Sequence, residues 1–192
     1  MKKLYKVSVS LLLSLFSLGC SVTADWSTAS RESAGIAPDP TDYQDAIIHV
    51  YGADAWGWRG WFAIHTWISV KRGGQQDYTV YDVVGWRQYR GNTVLAAMND
   101  IPDRHWYGAK PHLLLEIRGE QAEDLIHKIE QAVADYPWKE SYRAFPGPNS
   151  NTFVAWVGKQ VPELNLELPF SAIGSGYVDQ FKQGSNDLLD EQ

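Results

Sequence analysis

The stretch Pro146-Gly147-Pro148-Asn149-Ser150-Asn151-Thr152-Phe153-Val154-Ala155-Trp156-Val157 decides how this chain is read. Two prolines and a glycine hold residues 146–148 out of a helix, and the next four residues are all types whose side chains satisfy free amides at a helix start. Phe153, Val154, Trp156 and Val157 then recur at i, i+1, i+3 and i+4, which predicts a helix ending near Gly158 and Pro162. Ser150 falls in its first turn, where a hydroxyl meets unpaired backbone N–H groups and the positive end of the helix dipole. Such a position suits a helix cap, and it equally suits a nucleophile placed beside the donors of an oxyanion hole.

Working outward, residues 62–70 alternate, with Phe62, Ile64, Ile68 and Val70 on one face and Ala63, His65, Trp67 and Ser69 on the other, which predicts a strand. Residues 71–77 contain Gly73-Gly74 and make a turn, and residues 78–86 return antiparallel. One residue of register decides whether Tyr81 or Asp82 shares the face of His65. Residues 47–51 read as a short strand, broken by Gly52 and by the loop Trp56-Gly57-Trp58-Arg59-Gly60-Trp61, whose rings either form an exposed patch or pack inward. Residues 87–111 read as a polar excursion with a short helix over 93–98. Residues 112–118 read as a third, more buried strand, 120–136 as an amphipathic helix stopped by Pro137, and 163–168 as an edge strand.

The chain opens with Lys2, Lys3 and Lys6, an apolar run over 7–18, and Gly19-Cys20. The run is shorter than the ~20 residues that span a bilayer, so residues 1–19 read as an export signal. Cys20 is the one cysteine, which excludes an intrachain disulfide. Gly19-Cys20 resembles a bacterial lipobox, which implies cleavage before Cys20 and acylation of its sulfur, as by palmitate. Ser17 departs from the Leu preferred there, and Val22-Thr23-Ala24 offers an ordinary signal peptidase another site. Ser21 lacks the aspartate that resembles an inner-membrane retention signal, which favours the outer membrane of a bacterial envelope. Residues 20–45, rich in Ser, Thr, Ala, Asp and Pro, read as a lipidated tether, 46–178 as a single domain, and 179–192 as an acidic flexible tail. Without the signal, 14 basic residues face 23 acidic ones, a net of −9, which argues against nucleic acid and against electrostatic attachment to anionic lipid.

The order of elements, a strand with His65, a returning strand with Tyr81 and Asp82, another strand, a helix, then a helix opening on Asn149-Ser150, resembles the circularly permuted papain-like fold. That fold is shared by NlpC-type peptidases and lecithin:retinol acyltransferase-like proteins. Asn149-Ser150-Asn151-Thr152-Phe153-Val154 is similar to their nucleophile segment, with Ser150 where they carry cysteine, and Tyr142-Arg143-Ala144-Phe145 occupies the approach where they often carry a Tyr. The Pro-Gly-Pro-Asn-Ser-Asn-Thr-Phe run also resembles that of a bacterial family of unknown function, over most of residues 46–177. The resemblance implies an α+β domain, a small antiparallel sheet packed against helices, with His65 and Ser150 on one side of the sheet. It implies Ser150 as nucleophile, His65 as base, Asp82, Tyr81 or Glu116 orienting the imidazole, and Asn149, Asn151 and Tyr142 around the substrate.

A helix end contributes ~0.3–1 kcal/mol, less than one pKa unit at ~1.36 kcal/mol, so it cannot ionise an alcohol as it can help ionise a thiol. Ser150 would therefore need His65 to take its proton during the reaction. Two functions fit: a serine-based amidohydrolase or acyltransferase on a peptide or lipid acyl group, or a catalytically inactive module binding a peptide, peptidoglycan or lipid ligand. No cofactor is implied: His105, His112 and Asp103 lack metal-ligand spacing, and no Gly-rich phosphate loop is present. Glu116, Glu120, Glu123 and Glu130 read as strand-end and helix-surface charges.

Overall fold

The computed structural model describes residues 25–180; the expected export signal, Cys20 and the expected tail from 181 lie outside them. Strands β1 (Ile47–Asp54), β2 (Ile64–Lys71), β3 (Thr79–Val83), β4 (Leu95–Asn99) and β5 (His112–Arg118) form one antiparallel sheet in the order β4-β3-β2-β1-β5. Helices α1 (Glu120–Ala134) and α2 (Ser150–Gln160) follow in the chain. This is the α+β class expected, an antiparallel sheet packed against helices. Among the described residues no helix is long and apolar enough to cross a membrane.

Alternation sorts the strands' side chains onto two faces. Ile48, Val50, Ile68, Val70, Tyr81 and Val83 join Leu125, Ile126 and Ile129 of α1 and Phe153, Val154 and Val157 of α2 in the main core. Burying each such side chain contributes ~1.5–3 kcal/mol, so α2 is held on this face by its own apolar stripe, and Ser150 is delivered with it. Ile68 pairs with Tyr81, which turns Tyr81 to the helices and leaves Asp82 on the face of His65.

The opposite face carries Tyr51, Ala53, Trp67, Val80 and Val84 under Trp106 and Ile36. Much of its cover comes from a segment expected to be tether. Buried Asp103 accepts hydrogen bonds from Ile36 N (2.6 Å), Ala37 N (3.1 Å) and the Ser33 hydroxyl (2.8 Å), and Tyr78 donates to Pro38 O (3.0 Å). Residues 30–38 are therefore bonded into the folded domain. Their polar composition hid this because the carboxylate that collects their amides lies some seventy residues away.

Other expectations are corrected. The helix over 93–98 is instead strand β4, Leu95–Asn99, whose backbone pairs with β3 along its whole length at the sheet edge, a tertiary pairing that overrides the helix preference of Leu, Ala and Met. The expected more buried strand β5 is a half-exposed edge. Residues 163–168 form no strand: Leu164, Leu166 and Leu168 pack on the core, Asn165 turns through φ 47°, and no neighbouring strand pairs with them. The loop with alternating glycines makes a 3-10 turn over Gly57–Trp61 and exposes Trp58 and Trp61.

Candidate functional site

The strand end that carries His65 and the first turn of α2 open onto one groove of about 650 Å³, within the range of small-molecule sites. Tyr142 and Phe145 from the loop before α2, Trp56 just before the Gly57–Trp61 turn, and Trp86 in a further 3-10 turn over Gly85–Arg90 help to wall it.

Asn149, not Ser150, caps α2. Its Oδ1 accepts the N–H groups of Asn151 (3.0 Å) and Thr152 (3.1 Å), while the Thr152 hydroxyl accepts from Asn149 N (3.1 Å), a reciprocal capping box. Asn149 Nδ2 donates to Ala144 O and Ile173 O, both at 3.0 Å. Gly174 crosses so closely, at φ +94°, that a Cβ there would stand 2.2 Å from Asn149 Nδ2. Asn151 is equally occupied: Nδ2 donates to Ile64 O (3.0 Å) and Ile173 O (2.9 Å), and Oδ1 accepts the Thr66 hydroxyl (2.9 Å). Both amides, expected around the substrate, thus have their protons engaged in tying α2 to β2 and to the 173–174 turn.

The capping box leaves Ser150 free. Among the described residues its hydroxyl makes no hydrogen bond and its N–H, first of the helix, has no acceptor. Tyr142 lies against Gly85, where a Cβ would meet the ring at 2.5 Å, and burial first, then the Asp82 charge, push its phenol up, so it remains a proton donor to the groove.

His65 donates from Nε2 to Asp82 Oδ1 at 2.8 Å, and its ring stacks on Trp106 with centroids 3.5 Å apart and planes 6° from parallel. Asp82 Oδ2 accepts from Arg104 Nη2 at 2.9 Å. Arg104 Nη1 is 3.3 Å from Asp100, an ion pair without hydrogen-bond geometry. Burial pushes the Asp82 carboxyl up, but the His65 charge and hydrogen bond, with the Arg104 guanidinium, more than reverse it and hold the carboxylate below its usual range. With Nε2–H fixed on Asp82, a neutral imidazole carries its lone pair on Nδ1, which has no partner among the described residues. The sealed and partnerless side-chain atoms of those residues are Ser69 Oγ, Arg104 Nε and Nη1 and Tyr136 Oη, so neither His65 Nδ1 nor Ser150 Oγ is closed off.

The two groups do not approach across one face. Thr66 points to α2, bonding Asn151 Oδ1 and Ser150 O, so its neighbour His65 projects from the other face of β2. Ser150 and His65 instead share the groove around the open end of the sheet, and no hydrogen bond joins them. The same-side placement implied by papain-like proteins is not what forms. Of the alternatives for orienting the imidazole, Asp82 makes the contact; Tyr81 lies in the helix-side core, and Glu116 accepts from His49 Nε2 at 2.9 Å. Arg104, Trp106 and Thr66, all in contact with the site, carried no local signal in the sequence.

Fold and site together define a small α+β protein with an aromatic-walled groove at the open end of its sheet, and comparison by sequence gives the family. Residues 45–177 match the model of the family described as "Protein of unknown function (DUF3750)", and the chain belongs to that family. No curated protein and no solved structure matches it.

Proposed function

We propose that the chain is an envelope lipoprotein, anchored through acylated Cys20, whose groove performs serine-based acyl transfer or hydrolysis on a peptide or lipid acyl group. Ser150 Oγ attacks the acyl carbonyl while His65 Nδ1 takes the hydroxyl proton, with Asp82 holding Nε2–H. The acceptorless Ser150 N–H supplies a donor to the oxyanion. Collapse of the tetrahedral intermediate expels the leaving amine or alkoxide, which takes the proton from His65. Water, or a second amine or hydroxyl, then releases the acyl group by the same route in reverse. The observation that carries this reading is a first-turn hydroxyl relieved of capping by Asn149 and facing one groove with an aspartate-held imidazole.

The absence of a Ser150 to His65 hydrogen bond favours a second reading, a catalytically inactive module that uses the groove to bind an envelope ligand. A fluorophosphonate probe followed by intact mass and peptide mapping separates the two. The enzyme reading predicts one adduct on Ser150, absent in Ser150→Ala and formed at least tenfold more slowly in His65→Ala that remains folded. An unlabelled wild type favours the binding module.

A further inference from the structure

Of the eleven exposed large apolar side chains among the described residues, five line the groove, including Tyr89 at 93 % exposure, Phe145 at 73 % and Trp58 at 70 %; Trp26 lines an adjoining hollow, and Trp61, 93 % exposed, ends the same turn that carries Trp58. Soluble surfaces seldom gather so many rings in one place without a partner. The loops that present the rim, residues 55–63, 84–94 and 142–149, also carry Arg59, Arg87, Arg90 and Arg143 and not one Asp or Glu, in a chain where acids outnumber bases 23 to 17. None of these four arginines forms an ion pair among the described residues. The chain as a whole is acidic, yet these three loops carry only basic charges.

We propose that this collar of aromatic rings and arginines is a membrane-docking face, seating the groove mouth on the interface of a bilayer that contains anionic phospholipid. Trp and Tyr rings settle at headgroup level, and arginine lays its stem along apolar surface while its guanidinium reaches phosphate. The start of the described chain points the same way. Trp26 closes a hollow of about 320 Å³ with Trp56, Arg59, Trp86, Arg90 and Tyr107, on the same side as the groove. Cys20 is six residues upstream, a reach of roughly 20 Å at full extension. An acyl chain there keeps the Trp26 edge of this face within that reach of the bilayer. That geometric support rests on the lipoprotein reading, whereas the chemistry of the collar does not.

The test uses the mature chain carrying Cys20→Ala, which is never acylated, sedimented with vesicles of phosphatidylglycerol and phosphatidylcholine or of phosphatidylcholine alone. The proposal expects binding to the anionic vesicles, at least tenfold weaker binding to the neutral ones, and at least tenfold weaker binding by Trp58→Ala/Trp61→Ala and by Arg59→Ser/Arg90→Ser. All four side chains are exposed, so unchanged thermal unfolding of the variants is the control. Absence of binding, equal binding to both vesicles, or binding untouched by both double variants overturns it. Because the protein is unacylated and the readout is not turnover, any of these outcomes leaves Cys20 and Ser150 to their own tests.

Discussion

Asp82→Ala is expected to destabilise the protein by about 3–5 kcal/mol, the usual cost of leaving a buried charge without its partner. Asp82 is 2 % exposed and Arg104 3 %, so solvent cannot take over the role of the missing carboxylate. On a total stability of ~5–15 kcal/mol this is a large fraction, and in a domain of this size it lowers Tm by roughly 6–20 °C. The pH dependence has a definite sign. The folded carboxyl lies below its ordinary 3.8, so its contribution is full above that value and lost as pH falls through the folded one. Asp82→Asn should therefore lose stability at neutral pH and show a shallower acid limb below about 4 than wild type. A loss under ~1 kcal/mol in urea titration would mean that Asp100, 3.3 Å from Arg104, compensates.

Asn149→Ala is expected to cost about 2–3 kcal/mol: ~1–2 for the cap, and the remainder for the part-buried Ala144 O, which loses its donor, while Ile173 O keeps the bond from Asn151 Nδ2. Asn149→Asp keeps the acceptor for the helix amides and loses the two donated bonds, so it should fall between wild type and alanine. Ser150→Ala, whose hydroxyl makes no bond, should change stability by under ~0.5 kcal/mol. This contrast, read by thermal and urea unfolding, separates the residue that builds the site from the residue that faces it. Near-equal losses at 149 and 150 would contradict the capping assignment.

Much of the fold could be read from local pattern because the deciding forces are local. The apolar stripe of α2, the alternation of β2, the turn at Gly73-Gly74 and the helix over 120–134 each announce themselves within about ten residues. Within Asn149-Ser150-Asn151-Thr152, every residue is a capping type, and composition could not choose among them. The choice falls to Asn149 because Thr152 stands three residues on, and because its amide meets carbonyls of the 144 and 173 loops, one of them 24 residues downstream. The partner of His65 was open for a similar reason, since Asp82 and Tyr81 differ only by one step of register. Arg104, Trp106 and residues 30–38 were illegible for a third: each acts through a contact that closes only after the chain has folded. The aromatic loop over 56–61 divides between the two readings, with Trp58 and Trp61 in solvent and Trp56 half-buried edge-on against Tyr107, a split that the alternating glycines do not encode.

The central claim is that position 150 lies under the influence of His65 and the helix end, and it is tested most directly by Ser150→Cys in a Cys20→Ala background. Iodoacetamide reacts with thiolate, and an ordinary thiol of pKa ~8.5 is mostly protonated below pH ~7. The account predicts that the introduced thiol alkylates at pH 6 at least tenfold faster than a free thiol, with a rate profile that turns over well below pH 8.5 and returns towards it when His65→Ala is added. A profile that follows a free thiol, unchanged by removing His65, would contradict it.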